Sequence, residues 1–410
     1  MEAPYSCLRE QHSTPYRLDA RKVMTMGSRT SGKTSGVVKE GESRKISGLS
    51  RRSFLKLGLG TAAVAGMLGL SACGTQNASQ GSGSSSAGES TQEITDLAGN
   101  TVSVPTSITK IVDFWHAHNQ IVLMLGAADK LVGTTDNFKK MKWANVVYPG
   151  LANVESLVTG SGSNQAVNYE EAFKLSPDVC FASSKDMVTS GTEQGLTMVN
   201  VMFQDYEGLR DDVNLTAKIL GSDAQKAAQK WEDLLDENIK TVEDRMSGVS
   251  DSDKVKVLHI VNASSLTKVD GTNCIVDEWI KLAGGVNAIQ TQGNMIDVTM
   301  EDIVKADPEV IIIGSGAADA VQKLLNDSAW SGVKAVKNKA VYANPTGVFA
   351  WDRYSGEEAL QVLWAAQKLN PDKFSDIDMV VKTRDFYKEF YGFDLSEDQA
   401  TRIINAQDPA

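Results

Sequence analysis

The chain has 410 residues, with 41 basic and 52 acidic side chains and a formal net charge of −11. That length is enough for two domains with sizeable cores. The charge is uneven: the first 72 residues hold 12 basic and 5 acidic side chains, which leaves 29 against 47 in the rest. So acidic a body excludes nucleic acid as a partner, because phosphates need Lys and Arg to neutralise them.

Residues 1–72 read as a leader. Gly27-Ser-Arg-Thr-Ser-Gly32-Lys33-Thr34 fits the phosphate-loop pattern, but no buried strand precedes it and no helix-forming run follows, so it is set aside. Ser50-Arg51-Arg52-Ser53-Phe54-Leu55-Lys56 is a twin-arginine export motif, and residues 57–70 are an apolar run too short to span a bilayer comfortably. Leu70-Ser71-Ala72-Cys73-Gly74 resembles a bacterial lipobox, which implies cleavage before Cys73 and a lipid on that cysteine. Residues 73–91 are rich in Ser, Gly, Ala, Gln and Thr and form a flexible tether. Cys180 and Cys274 fall in different halves of the body, and two separate buried thiols are expected.

The body then alternates strand and helix patterns. A hairpin is expected over 93–104, a strand over 108–114, a helix over 117–125 and a short strand near 129–133. Residues 134–168 read as a polar loop region, followed by strands at 178–182 and 196–203. Residues 209–250 are helix-forming throughout, broken at Gly221, with Ser222 or Asp223 as the cap of the second part. In that second part Ala227, Trp231, Leu234, Leu235, Ile239, Val242 and Met246 fall in steps of three and four and make one buried stripe. After it come strands at 254–261, 310–313 and 340–343 and helices at 274–282, 317–325 and 357–369. The last stretch is helical, with an aromatic face at Phe386, Tyr387, Phe390 and Tyr391.

An internal echo flanks the long helical stretch. Val167-Asn-Tyr-Glu170-Glu-Ala-Phe-Lys174-Leu-Ser-Pro177-Asp178-Val179 matches Val298-Thr-Met-Glu301-Asp-Ile-Val-Lys305-Ala-Asp-Pro308-Glu309-Val310. Each copy is a short helix, stopped before Pro, then a buried strand. Two copies around one long helix predict a two-lobed α/β protein: a leader at 1–72, a tether at 73–91, a first lobe at 92–205, a linking helix at 206–250 and a second lobe at 251–410.

Thr95-Asp96-Leu97-Ala98-Gly99-Asn100-Thr101-Val102-Ser103-Val104-Pro105, Leu125-Gly126 to Val132-Gly133 and both Glu-to-Pro motifs together resemble the iron-siderophore, haem and vitamin B12 class of ABC-importer substrate-binding proteins. Trp351-Asp352-Arg353-Tyr354-Ser355-Gly356-Glu357 is similar to the Trp-Asp-Arg-Pro-Ser-Pro-Glu run of some members, with Tyr354 and Gly356 replacing the prolines. The resemblance implies two Rossmann-like lobes joined by a single long helix, the class III periplasmic-binding fold. It implies an outward-facing, lipid-anchored monomer without intrinsic cofactor that carries a ferric chelate, haem or cobalamin to an ABC permease dimer and its ATPase. It also implies that Glu170 and Glu301 face that permease, one per lobe.

Ligands in open α/β lobes sit beyond the carboxyl ends of strands. Three stretches qualify: Trp115-His116-Ala117-His118; Phe138, Lys139, Lys142 and Trp143; and Phe349 to Tyr354, with Trp351, Arg353 and Tyr354 the leading candidates. Aromatics mixed with Lys and Arg suit a bulky acidic chelate. His116 and His118 are candidate metal ligands, whereas His259 reads as a core residue. The solute stays open among a ferric chelate, haem, cobalamin, a metal ion and an oxyanion. An enzyme or a sensing lipoprotein is the rival class, although no nucleophile elbow or His-Glu-x-x-His helix is found.

Overall fold

In a computed structural model, residues 90–160, 164–315 and 318–410 are described. The twin-arginine motif, Cys73 and nearly all of the tether lie outside those residues. The body opens with the hairpin β1 (Thr91–Thr95) and β2 (Thr101–Pro105). The first sheet contains β3 (Ile111–Asp113), β4 (Leu131–Thr135), β5 (Glu155–Thr159), β6 (Ala166–Val167), β7 (Val179–Ala182) and β8 (Met198–Asn200), in the order β6-β5-β4-β3-β7-β8. Only β6, at the edge, is antiparallel to its neighbour.

The second sheet contains β9 (Val255–Asn262), β10 (Ser265–Val269), β11 (Gly285–Asn287), β12 (Ile296–Asp297), β13 (Val310–Ser315) and β14 (Val341–Ala343). Its order is β12-β10-β9-β13-β14, with β11 pairing with the start of β9. This sheet is mixed, because β9 turns straight back into β10. The Asn262 carboxamide accepts from the Ser264 amide at 2.8 Å and holds that tight turn.

The apolar runs of the central strands follow from burial on both faces. In β13, Val310 and Ile312 join one core, while Ile311 and Ile313 join another. In β7, Val179 and Phe181 join the first of these, while Cys180 and Ala182 face a third. The first core is continuous from one sheet to the other. It passes through the 25-residue helix Ser222–Met246, whose Ala224, Ala228, Trp231, Leu235 and Val242 are buried in it. Gly221 caps that helix at φ +106 without a side-chain hydrogen bond, rather than Ser222 or Asp223. The helix Tyr206–Leu220 packs against it.

The echo is structural as well as sequential. Tyr169–Leu175 and Met300–Ala306 are both seven-residue helices that end on a left-handed residue, Ser176 at φ +51 and Asp307 at φ +46. The Asp178 carboxylate accepts from the Lys110 amide at 2.9 Å, and the Glu309 carboxylate accepts from the Lys256 amide at 3.1 Å. Each acidic residue after a proline therefore fixes the start of the neighbouring strand of its own sheet.

Residues 134–168 are not the loop expected. They hold the short helices Asp136–Lys139 and Lys142–Val147 as well as β5 and β6. The Thr135 hydroxyl caps the first helix by accepting from the Phe138 amide at 3.1 Å. Elements this short give too few residues for a periodic signal.

The segment after β14 is closely packed against the first lobe and the long helix. The Gly356 carbonyl accepts from the Trp231 indole at 2.7 Å, and its amide donates to the Gln120 carboxamide at 2.7 Å. A Cβ on Gly356 would sit 2.3 Å from the Met124 sulfur and 3.3 Å from Trp231 Nε1. Tyr354 has φ +59, which the proline ring cannot adopt. Both departures from the family run are thus local necessities. Gly356→Ala is expected to destabilise the fold by about 2 kcal/mol through overpacking; an unchanged melting temperature would contradict the packing described.

Candidate functional site

Two strand-end segments from opposite lobes meet beside the long helix. Trp115 and His116 follow β3 of the first lobe, and Phe349 to Glu357 follow β14 of the second. The Trp115 ring lies 5.6 Å from Phe203 and 5.5 Å from Tyr354, and Phe203 lies 5.6 Å from Tyr354, centroid to centroid. His116 meets Phe349 at 5.6 Å. Trp115, His116, Arg353 and Tyr354 are all buried. Part of that burial comes from the contacts across the lobes, so parting the lobes exposes surface on both sides.

Polar atoms ring this aromatic cluster. The Asn294 carboxamide donates to the Tyr354 hydroxyl at 3.1 Å, and that hydroxyl donates to the Gln204 carboxamide at 3.5 Å. Arg353 donates to Asn294 at 3.3 Å and to Asp270 at 2.7 Å. Asp270 also meets His259 Nδ1 at 2.8 Å, while His259 Nε2 lies 3.1 Å from Asp352. Burial alone would raise the Asp270 carboxyl, but the Arg353 and His259 charges overcome that and hold it low. Arg353 is therefore an oriented cation locked by Asp270, with a weaker contact to Asp352 at 3.4 Å. Of the two local carboxylates that could tie Arg353 back as scaffolding, Asp352 does so at 3.4 Å, while Glu357 accepts from the Tyr391 hydroxyl at 3.0 Å and the Val348 amide at 3.2 Å.

The first-lobe lip is fixed by a matching device. Asp113, at the end of β3, accepts from the Trp115 amide at 3.0 Å and meets His118 Nδ1 at 2.8 Å. His118 Nε2 lies 3.0 Å from the Thr216 hydroxyl and 3.5 Å from Asp212, both on the helix Tyr206–Leu220. Burial would lower the His118 pKa, but Asp212 and Asp113 raise it to about 10. Burial pushes the His116 pKa down to about 4, so its ring is neutral.

Several expected ligand contacts are corrected by this geometry. Both ring nitrogens of His118 are already engaged, which removes it as a metal ligand alongside His116. Among the described residues no group of three or more His, Cys, Asp or Glu side chains is arranged to hold a metal ion. Phe138 is fully buried in the core and has no surface for a solute. Lys142 is exposed and paired with Asp408 near the C-terminus, Lys139 donates to the Ala152 carbonyl at 3.2 Å, and the Trp143 indole donates to the Gln407 carbonyl at 2.9 Å. Trp351 is fully buried. His259 is a core residue of β9, as its pattern indicates.

Sequence reasoning missed Phe203, Gln204, Asn294 and Asp270. Only Phe203 carried a signal, as an aromatic at a strand end; the others are joined to the site by contacts distant in sequence. Glu170 and Glu301 are exposed in the first turns of the two echo helices. Cys180 and Cys274 are buried free thiols.

The sequence profile described as periplasmic binding protein matches residues 116–346. Among curated proteins, the molybdate-binding protein MolA of Haemophilus influenzae is 27% identical over 342 residues, covering 75% of this chain and 93% of that protein. The ABC transporter substrate-binding lipoprotein YvrC of Bacillus subtilis is 25% identical, covering 61% of this chain and 76% of that protein. Among solved structures, a periplasmic solute binding protein from Veillonella parvula aligns with TM-score 0.67 at 29% identity, covering 77% of this chain and 97% of that one.

The raised His118 pKa gives a pH prediction. The stability this group contributes is complete below its unfolded value of about 6.5 and is lost as pH rises towards about 10. Thermal melts should fall more steeply between pH 7 and 9.5 for the wild type than for His118→Gln; parallel curves would contradict the buried charge cluster.

Proposed function

We propose, from the premise that this chain belongs to the periplasmic binding protein family and is the substrate-binding protein of an ABC transporter, that its cargo is a compact oxyanion of the molybdate type. The protein is a solute-binding protein rather than an enzyme, and it works outside the cytoplasm with an ABC permease and its ATPase. Its fold is the class III periplasmic-binding arrangement of two α/β lobes.

The observation that carries the oxyanion reading is the closed lobe junction. With Trp115 and Tyr354 in ring contact at 5.5 Å, the two lips are closed on each other, and a compact solute needs less parting of the rings than a bulky chelate. The polar atoms gathered there, from Tyr354, Asn294, Gln204 and Arg353, suit a small ion that needs several hydrogen bonds. The net acidity of the body does not oppose this, because oriented donors at short range decide binding in a closed, dry site. Binding of molybdate by the Haemophilus relative supports the same reading.

A second reading is an iron-siderophore chelate, haem or cobalamin. The aromatic walls of Trp115, Phe203 and Tyr354 favour it, since flat groups stack on such rings once the lobes part. In both readings Glu170 and Glu301 provide a two-point register on the permease, and a lipid on Cys73 holds the monomeric protein at the membrane. No helix among the described residues is long and apolar enough to cross a membrane.

Titration of the purified protein with molybdate, tungstate, ferric citrate, haem and cobalamin, followed by tryptophan fluorescence and visible absorbance, tests the cargo. Molybdate should bind with one-to-one stoichiometry, and Tyr354→Phe should weaken it about tenfold by removing one hydrogen bond to a charged solute. Binding of ferric citrate, haem or cobalamin with no response to either oxyanion would favour the second reading. Glu170→Ala combined with Glu301→Ala should keep cargo affinity and abolish uptake; loss of cargo binding would defeat the docking role.

A further inference from the structure

Phe173, Val304 and Val381 are the large apolar side chains that stand exposed among the described residues, at 56%, 47% and 47%. Single exposed apolar residues are ordinary on protein surfaces. The placement of the first two is not. Phe173 lies three residues after Glu170, and Val304 lies three residues after Glu301, so they occupy the same position of the duplicated helix. In each helix the fixed point is the residue just before, Ala172 in one and Ile303 in the other, both fully buried. That anchor turns the following residue outward, onto the face that carries the first-turn glutamate one turn earlier.

We infer that Phe173 and Val304 are a matched pair of apolar contacts, one per lobe, that insert into two equivalent recesses of the ABC permease dimer. The inference rests on the transporter reading and extends it. The occupant follows from charge and duplication. Each helix opens with two carboxylates, Glu170 with Glu171 and Glu301 with Asp302, so the facing surface is basic. Lys174 is tied back to Glu170 at 3.1 Å and to Glu171 at 3.2 Å, which keeps its charge on its own helix. Two copies of one patch on a pseudo-duplicated body match a partner that presents two copies of one surface. An apolar residue with charged groups around it is the arrangement in which a desolvated centre supplies affinity and the rim supplies register.

The glutamates and the apolar residues then have separable roles. Carboxylates steer the encounter and set which lobe meets which subunit, and their effect weakens with salt. Phe173 and Val304 hold the docked complex, with little dependence on salt.

The test is made in cells of the native host, by replacing the chromosomal copy with Phe173→Ser plus Val304→Ser and measuring molybdenum, tungsten, iron and cobalt accumulation. Val381→Ser, equally exposed but outside the duplicated helices, is the control. The double variant should melt and bind its cargo like the wild type, yet accumulate metal about tenfold more slowly, with each single variant intermediate. Wild-type accumulation by the double variant overturns this proposal and leaves the transport function standing. Equal loss with Val381→Ser overturns it as well, since the effect would not be specific to the duplicated helices. If deletion of the whole chain leaves all four metals unchanged, the transport reading falls and this proposal with it.

Discussion

Three parts of the chain converge on Gly356, and the arrangement of the site depends on that contact. The first lobe supplies Gln120 and Met124, the long helix supplies Trp231, and the second lobe supplies the glycine. A hydrogen bond on each side of one residue, with no space for a methyl group, fixes the second-lobe lip against both other parts. Asn238, one further stretch along the same helix, donates to the Ala359 carbonyl at 2.7 Å and extends the attachment. A 25-residue helix bonded in this way is a stiff base on which the two lips are set.

The lips themselves are held by buried charge rather than by apolar packing alone. Each lobe has one fully buried histidine between two aspartates: His118 with Asp113 and Asp212, and His259 with Asp270 and Asp352. Such clusters are poor sources of net stability, because the desolvation of the ions offsets much of their attraction. Their value is geometric. Asp113 fixes the Trp115 backbone, and Asp270 fixes both Arg353 and the Met295 amide, which it accepts at 2.9 Å. The aromatic and cationic groups of the candidate site are thereby held in one orientation, and preorganisation of that kind lowers the entropy lost on binding.

Much of this was legible in the chain. The duplicated Glu-to-Pro segments, the helix after Gly221 and the buried strands at 178–182 and 310–313 each have a signal inside one window of sequence. The structure adds a symmetric reason for the acidic residues after the prolines, Asp178 and Glu309, which clamp the starts of the neighbouring strands. The site was half legible. Trp115, His116, Arg353 and Tyr354 stand out as aromatics and ionisable groups at strand ends. Asp270 and Asn294 do not, since they reach the site through contacts 83 and 59 residues away in sequence. The region 134–168 was misread because polar residues there sit on helices of four and six residues, too short to show a period. Phe138 and Trp143 looked like cleft aromatics for the same reason, when they are core residues of that small helical layer.

The rings that meet across the lobes, Trp115, Phe203 and Tyr354, are the candidate walls of the site. The most direct measurement is anomalous diffraction from crystals grown with tungstate, a strongly scattering analogue of molybdate. The account predicts a single peak at the lobe junction, within hydrogen-bond reach of the Tyr354 hydroxyl and of Asn294 or Gln204. A peak at a site remote from both lips, or none there while the crystals are saturated with the ion, would contradict it.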